Sequence, residues 1–346
     1  MRVLGKNIIA AALAVAFAAS PAAQAQEAKK DLIPINIGLP ISNYWPAYIA
    51  RDLGLFEKAG LDPKFYMFQS GAPLIAGMKS GSLDIAWTGL ATLFMLGQRI
   101  PLKFVLVPLD SSSQMAYVVN PKSGIESYKD IGKSRNIAAP TATCAEVSMV
   151  MAAKRAGVDL KSIRSSNLAP NLIQKALDDG QVDSTFMWGP WNMQWRNAGY
   201  KIVNHDKDYM DDGGVCATTV AIRPTYLEQN PSVGCRLIQV HAWALEAARK
   251  DPDHAIRTMQ EAFNISPELA KETYETLIIP TIESQVEQDS PWSLSNKSAG
   301  LTEKLYQAGQ ALLEAKSIHV NIDRDTISES VDDTHLRRFL ENKSCS

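Results

Sequence analysis

From Ile33 onward, short apolar runs alternate with stretches whose apolar residues recur every three or four positions. Ile33–Leu39 alternates as a half-buried strand does and stops at Pro40, before the polar pair Ser42-Asn43. Trp45–Leu53 has helical spacing, with Pro46 in the first turn, where a missing N–H leaves nothing unpaired. Gly54-Leu55-Phe56 leads into a second short helix closed at Gly60. Phe65–Phe68 reads as a strand, Ser70-Gly71 opens a helix through Met78, and Leu83–Trp87, Leu90–Leu96 and Leu102–Pro108 read as strand, helix and strand. Residues 122–215 predict a second such unit, with strands Asn136–Ala139, Ser162–Leu168 and Ser184–Met187 and helices Ala145–Ala156 and Asn171–Asp178. Thr218–Ile222 is expected to return to the first unit. After Pro224 the pattern is mostly helical, over Val233–Arg249, Pro252–Phe263, Pro267–Ile278 and Thr302–Glu314. Helices alternating with short apolar strands predict an α/β fold.

One segment occurs twice. Ser80–Gly89 returns as Asp178–Pro190: Gly81 and Gly180 each open a turn, Leu83-Asp84 and Val182-Asp183 follow in register, and an aromatic precedes Gly89 or Gly189. Ala72-Pro73 and Ala169-Pro170 stand near the start of the preceding helices. The second copy has one extra residue before its glycine. The repeat points to two similar lobes that give one cleft two facing walls. Met115–Val119 is apolar and ends at Asn120-Pro121, a break suited to a crossing between lobes.

The amino terminus reads as an export signal rather than as part of the fold. Arg2 and Lys6 precede the apolar run Ile8–Phe17, and Ala23-Gln24-Ala25 is a small-x-small site that places cleavage near Ala25. The run is too short to span a bilayer, and no cysteine follows it closely enough for a lipid anchor. Without residues 1–25 the net charge moves from −2 to −4, since they hold two basic and no acidic residues. Mild acidity with scattered charge offers no basic stripe for nucleic acid. Cys144, Cys216, Cys235 and Cys345 lie far apart without a CxxC pair, which argues against zinc. One or two disulfides are expected in an oxidising compartment. Four cysteines allow three full pairings, all left open by the sequence, with Cys144–Cys216 and Cys235–Cys345 preferred.

Catalytic signatures are missing: there is no GxSxG, Walker loop, GxGxxG or HExxH. His205, His241, His254, His319 and His335 are scattered, without metal-ligand spacing, and a solvated loop accounts for Asp211-Asp212. No catalytic residue, metal or cofactor is expected. What remains is a set of helix starts at strand ends: Ser70-Gly71, Thr88-Gly89 and Thr141-Ala142-Thr143. A helix start leaves backbone N–H groups unpaired and carries partial positive charge. Small hydroxyl residues there let an anion approach. Ordinary capping explains each start alone; three facing one cleft would hold a sulfonate or carboxylate without an arginine. Among the aromatics, Trp45 and Trp188 stand in polar loops and are candidate cleft walls, whereas core packing accounts best for Trp195.

The run Tyr-Trp-Pro-Ala-Tyr-Ile-Ala-Arg-Asp-Leu-Gly-Leu-Phe-Glu-Lys-Ala-Gly-Leu (44–61), followed by Phe68-Gln69-Ser70-Gly71 and Lys79–Asp84, resembles the periplasmic solute-binding proteins of nitrate, sulfonate and taurine ABC importers. The resemblance extends to about residue 250. It implies a two-lobed, type II-like α/β binding protein with a hinge, a ligand cleft and a helical C-terminal part. Residues 26–119 plus 220–346 would form lobe I and residues 120–219 lobe II. It implies a periplasmic, monomeric, non-enzymatic protein that binds a small sulfonate- or taurine-like anion and delivers it to an inner-membrane ABC permease. The implied ligand loops are Ser42-Asn43 beside Trp45, Ser70-Gly71, Thr88-Gly89, and Thr141 with Thr143, completed by Trp188 and by Asp212 to Thr218. Thr218 stands where the taurine branch has an acidic residue, a role open to Glu146, Asp110 or Asp212, and Thr88-Gly89 replaces a more serine-rich turn. Two alternatives remain. One is the same class with an aromatic or quaternary-amine solute in a tryptophan-lined pocket. The other is a pyrimidine-synthesis enzyme of similar fold, which would need a histidine near the cleft.

Overall fold

Ten strands form two five-stranded sheets of the same design in a computed structural model that describes residues 32–210, 214 and 216–345. The strands are β1 (Ile33–Pro40), β2 (Leu61–Phe68), β3 (Ile85–Thr88), β4 (Lys103–Asp110), β5 (Ala116–Val119), β6 (Ile137–Ala138), β7 (Ser165–Ser166), β8 (Ser184–Met187), β9 (Lys201–His205) and β10 (Ala217–Ile222). The first sheet runs β2-β1-β3-β10-β4 and the second β7-β6-β8-β5-β9. In each, the first three strands are parallel and the fourth is antiparallel to both neighbours. The central strands β3, β5, β8 and β10 are buried along their whole length. They carry no charged residue, and their only non-aromatic polar side chains are the small hydroxyls of Thr88, Ser184, Thr185, Thr218 and Thr219, as suits strands covered on both faces.

The repeat noted in the sequence occupies equivalent places, since β3 and β8 are the middle strands of their sheets. Its aspartates do the same work. The Asp84 N–H donates to the Asn36 carbonyl at 2.9 Å while its carboxylate accepts from the Asn36 N–H at 2.9 Å. The Asp183 N–H donates to the Asn136 carbonyl at 3.1 Å, and its carboxylate accepts from the N–H groups of Arg135 and Asn136. An arginine completes each clamp, Arg223 on Asp84 at 2.7 Å and Arg135 on Asp183 at 3.2 Å.

Several boundaries differ from expectation. Ala116–Val119 lies in the second sheet, so the chain first crosses between sheets at 111–115, upstream of Asn120-Pro121. The strand's place directly after β4 suggests the preceding unit, yet it supplies the second sheet with the antiparallel strand that β10 supplies to the first. β2 begins at Leu61 and runs through Pro63, which an edge strand tolerates because the missing N–H would face solvent. The strand expected over Ser162–Leu168 shrinks to Ser165–Ser166, because Asp159 accepts from the Lys161 N–H and turns Leu160–Ser162 into a short helical loop.

The two preferred disulfides are both present, Cys144–Cys216 and Cys235–Cys345. C-terminal helices reach the second sheet: Gly300–Glu314 packs on Cys144–Ala156, with Lys154 paired to Glu314 at 2.7 Å. Arg196 beside β9 is paired to Glu272 in helix Pro267–Thr276 through two hydrogen bonds of 2.7 and 2.8 Å. Among the described residues no helix is long and apolar enough to cross a membrane. The export signal of residues 1–25 lies outside the described residues.

Candidate functional site

The loops that leave β1, β2, β3, β4, β6 and β8, and the segment that enters β10, converge on one cavity of about 410 Å³ with its open mouth included. This is the place where open α/β sheets bind ligands, beyond the carboxyl ends of their parallel strands. The first sheet contributes Ser42, Gly71, Thr88 and Gly89, and the second contributes Ala142, Thr143 and Trp188. Ser111 and Cys216 come from the two crossings between sheets.

Tyr44 stands at the centre. Burial pushes its hydroxyl up to about 12, against hydrogen bonds with Thr218, the Gly89 backbone and Thr88 that lower it. The hydroxyl stays neutral at physiological pH. Tyr48 supports the same loop by donating to the Ser42 carbonyl at 2.8 Å. Three helix starts meet here, since Gly71, Ala91 and Cys144 are first residues of their helices and all line the cavity. Ser70 makes no side-chain capping bond, which leaves the first N–H groups of helix Gly71–Ser80 to other partners. Trp188 is 7 % exposed, and its indole Nε1 has no hydrogen-bond partner among the described residues. Among the described residues that line the cavity, none carries a charged side chain.

Of the residues anticipated from the sequence, Ser42, Gly71, Thr88, Gly89, Thr143 and Trp188 line the cavity. Asn43 does not; it is fully buried and donates its amide to Gln114, whose own amide reaches the Thr273 carbonyl at 2.7 Å. Trp45 packs on Tyr274, with ring centroids 5.1 Å apart, and belongs to the core. Ser70 sits one residue outside the wall as the cap of its helix. Thr141 is exposed, and its N–H donates to Asn167. Thr218 is buried in β10 and does not line the cavity. Asp212 lies outside the described residues.

The proposed stand-ins for the missing acid are also engaged elsewhere. Asp110 accepts from the Ser112 N–H and hydroxyl and from the Trp292 indole, and Glu146 accepts from the Ala142 N–H at 2.7 Å. None of the five histidines lines the cavity. Ala142 and Cys216 fall inside the expected segments Thr141–Thr143 and Asp212–Thr218, whereas Tyr44, Ser111 and Cys144 line the wall outside any expected one. The only signals for them were the serine run 111–113 after β4 and the position of Cys144 directly after Thr141–Thr143.

A family model described as NMT1/THI5 like matches residues 41–255. A Bacillus subtilis (strain 168) protein named for aliphatic sulfonate binding is 24% identical over 91% of this chain and 90% of its own length. The taurine-binding periplasmic protein of Escherichia coli K12 is 26% identical over 54% of this chain and 58% of its own. The crystal structure of the periplasmic aliphatic sulphonate-binding protein SsuA from Escherichia coli superposes with a TM-score of 0.71 at 15% identity, covering 88% of this chain and 99% of that one. That likeness establishes the periplasmic binding protein fold. With the family model matching residues 41–255, which hold every strand but β1 and every cavity-lining residue but Pro40, this chain belongs to the NMT1/THI5-like family.

Proposed function

We propose that this protein is the solute-binding component of an ABC importer and holds a small organic anion of the sulfonate type between two lobes built on its two sheets. The observation that carries the reading is the convergence of the helix starts at Gly71 and Cys144 on a cavity lined by hydroxyls and by no charged described residue. N–H groups at helix starts stabilise negative charge without a cationic side chain. The Thr88, Ser111 and Tyr44 hydroxyls add donors, the Ser42 hydroxyl already donating to Asn43 at 3.0 Å, and the unpaired Trp188 Nε1 supplies one more on the opposite wall. Relatives named for sulfonate and taurine binding support the same solute class. A quaternary amine is disfavoured, because no acidic side chain among the described residues faces the cavity.

In this reading the protein is exported with cleavage near Ala25, acts in the periplasm as a monomer and hands its solute to an inner-membrane permease. Closure of the lobes excludes water, and the solute stabilises the closed form by its greater affinity for it. A thermal-shift panel of taurine, ethanesulfonate, nitrate, benzoate and choline tests the assignment. Saturation at a hundredfold excess over Kd stabilises a protein by about 2.7 kcal/mol, a shift of several degrees. A rise with choline alone, or with no anion in the panel, overturns the anion reading.

A further inference from the structure

Cys144 and Cys216 reach the cavity from different sheets. Cys144 opens helix Cys144–Ala156, which packs against β8 of the second sheet. Cys216 immediately precedes β10 of the first sheet, where its carbonyl accepts from the Ser111 N–H at 3.0 Å and its N–H donates to the Ser112 hydroxyl at 2.9 Å. Their bond is therefore a covalent link between the two halves, additional to the main-chain crossings at 111–115 and 206–216. It lies in the cavity wall. Both cysteines line the cavity, and a Cβ on Gly89 would stand 2.7 Å from Cys144 Sγ. The second disulfide differs in kind, tying helix Val233–Lys250 to the C-terminal end away from the cavity.

We propose that the Cys144–Cys216 disulfide is a redox latch on the cavity. Oxidised, it holds the start of helix Cys144–Ala156 against Gly89 and limits how far the two halves swing apart. A small dithiol reductant opens it by thiol–disulfide exchange. One thiolate attacks a cysteine sulfur to form a mixed disulfide, and the second thiolate then displaces the protein sulfur. Two protein thiols and one oxidised reductant result. The two cysteines are 6 % and 4 % exposed, so the reductant must enter through the cavity, and a seated solute obstructs it. Only this last consequence rests on the proposed function; the latch itself needs no solute.

The test compares the solute-free mature chain, its C144S/C216S variant and its C235S/C345S variant by hydrogen–deuterium exchange and small-angle scattering. Loss of the latch should raise exchange at 86–92 and 141–150 about tenfold and enlarge the radius of gyration, whereas C235S/C345S leaves both unchanged. Unchanged exchange and radius in a folded C144S/C216S chain would overturn the latch, as would an equal change in both variants. Should C144S/C216S fail to fold, stepwise reduction of the wild type with dithiothreitol, read by alkylation mass spectrometry, must show opening that follows the Cys144 and Cys216 thiols. Opening that follows Cys235 and Cys345 instead sinks the proposal. Repeating the reduction with ethanesulfonate separates the two ideas. Opening that follows the latch at a rate ethanesulfonate does not alter leaves the latch standing and counts against the sulfonate site.

Discussion

A Cβ placed on Gly71 would stand 2.1 Å from the Ala142 carbonyl oxygen, so the cavity walls meet backbone to backbone at this point. Gly71 begins a helix of the first sheet, and Ala142 precedes a helix of the second with a left-handed φ of 58°. The contact leaves no room for a side chain on the first partner. Gly71→Ala should therefore fold normally, since alanine suits a helix start, yet close imperfectly. The expected result is a loss of about tenfold in affinity, or about 1.4 kcal/mol, for whichever solute the thermal-shift panel identifies. Calorimetric titration beside a melting curve checks it, and unchanged affinity would show that this contact is not part of closure.

Trp188 separates two kinds of recognition. If the solute is an anion held mostly by backbone N–H groups, Trp188→Ala should weaken binding by about 1–2 kcal/mol, the loss of one wall and one donor. Trp188→Phe should recover the wall but not the Nε1 donor and fall between. If the solute is instead a ring or a cation gripped by the indole face, Trp188→Ala should abolish measurable binding. Titration of both variants with one solute distinguishes these outcomes.

Asp183 carries a pH-dependent part of the stability. Burial would push its carboxyl up, but hydrogen bonds from Ser134, Arg135 and Asn136 outweigh burial and hold it below the usual carboxylate range. With the folded value depressed, its contribution is complete above the unfolded value of 3.8 and is lost as pH falls below that through the folded value. Asp183→Asn should cost about 2–3 kcal/mol at neutral pH, because one amide oxygen cannot accept what two carboxylate oxygens do. Urea midpoints for wild type and variant should converge as pH drops below 3.8 toward the folded value. A constant gap across that range would contradict this account.

The sequence made the repeated framework legible because its parts are local. Gly81 and Gly180, Asp84 and Asp183, and the short strands after them each signal a turn or strand within a few residues, and the fold places them at matching positions. The cavity was legible to the same degree, through helix starts that follow strands. The surroundings of side chains whose partners lie far along the chain are not legible in this way. Asn43 reads as a ligand residue because its partner Gln114 lies 71 residues on, and Ser111 reads as neutral because only the crossing from β4 to β5 brings it to the wall. Thr218 is expected in the wall but lies buried within β10, a matter of depth that strand periodicity does not encode.

Asp206 should make the protein less stable as pH rises toward neutrality. It is fully buried at the start of the second crossing, where Ser148 donates to one carboxyl oxygen at 2.9 Å and Tyr209 to the other at 2.5 Å. Burial raises it to about 7, more than those two hydrogen bonds lower it, with Asp110 and Asp208 adding repulsion. The folded value thus lies above the unfolded value of 3.8, and between the two the folded chain keeps a proton that the unfolded chain has released. Stability from this group is complete below the unfolded value and falls by about 1.4 kcal/mol per pH unit until it levels off near the folded value. Asp206→Asn keeps polar contacts to Ser148 and Tyr209 without ionising and should flatten that part of the profile. Urea unfolding of both proteins from about pH 5 to about pH 8 reads the difference. A wild-type profile no steeper than that of the variant would mean that Asp206 is ionised throughout in the folded chain.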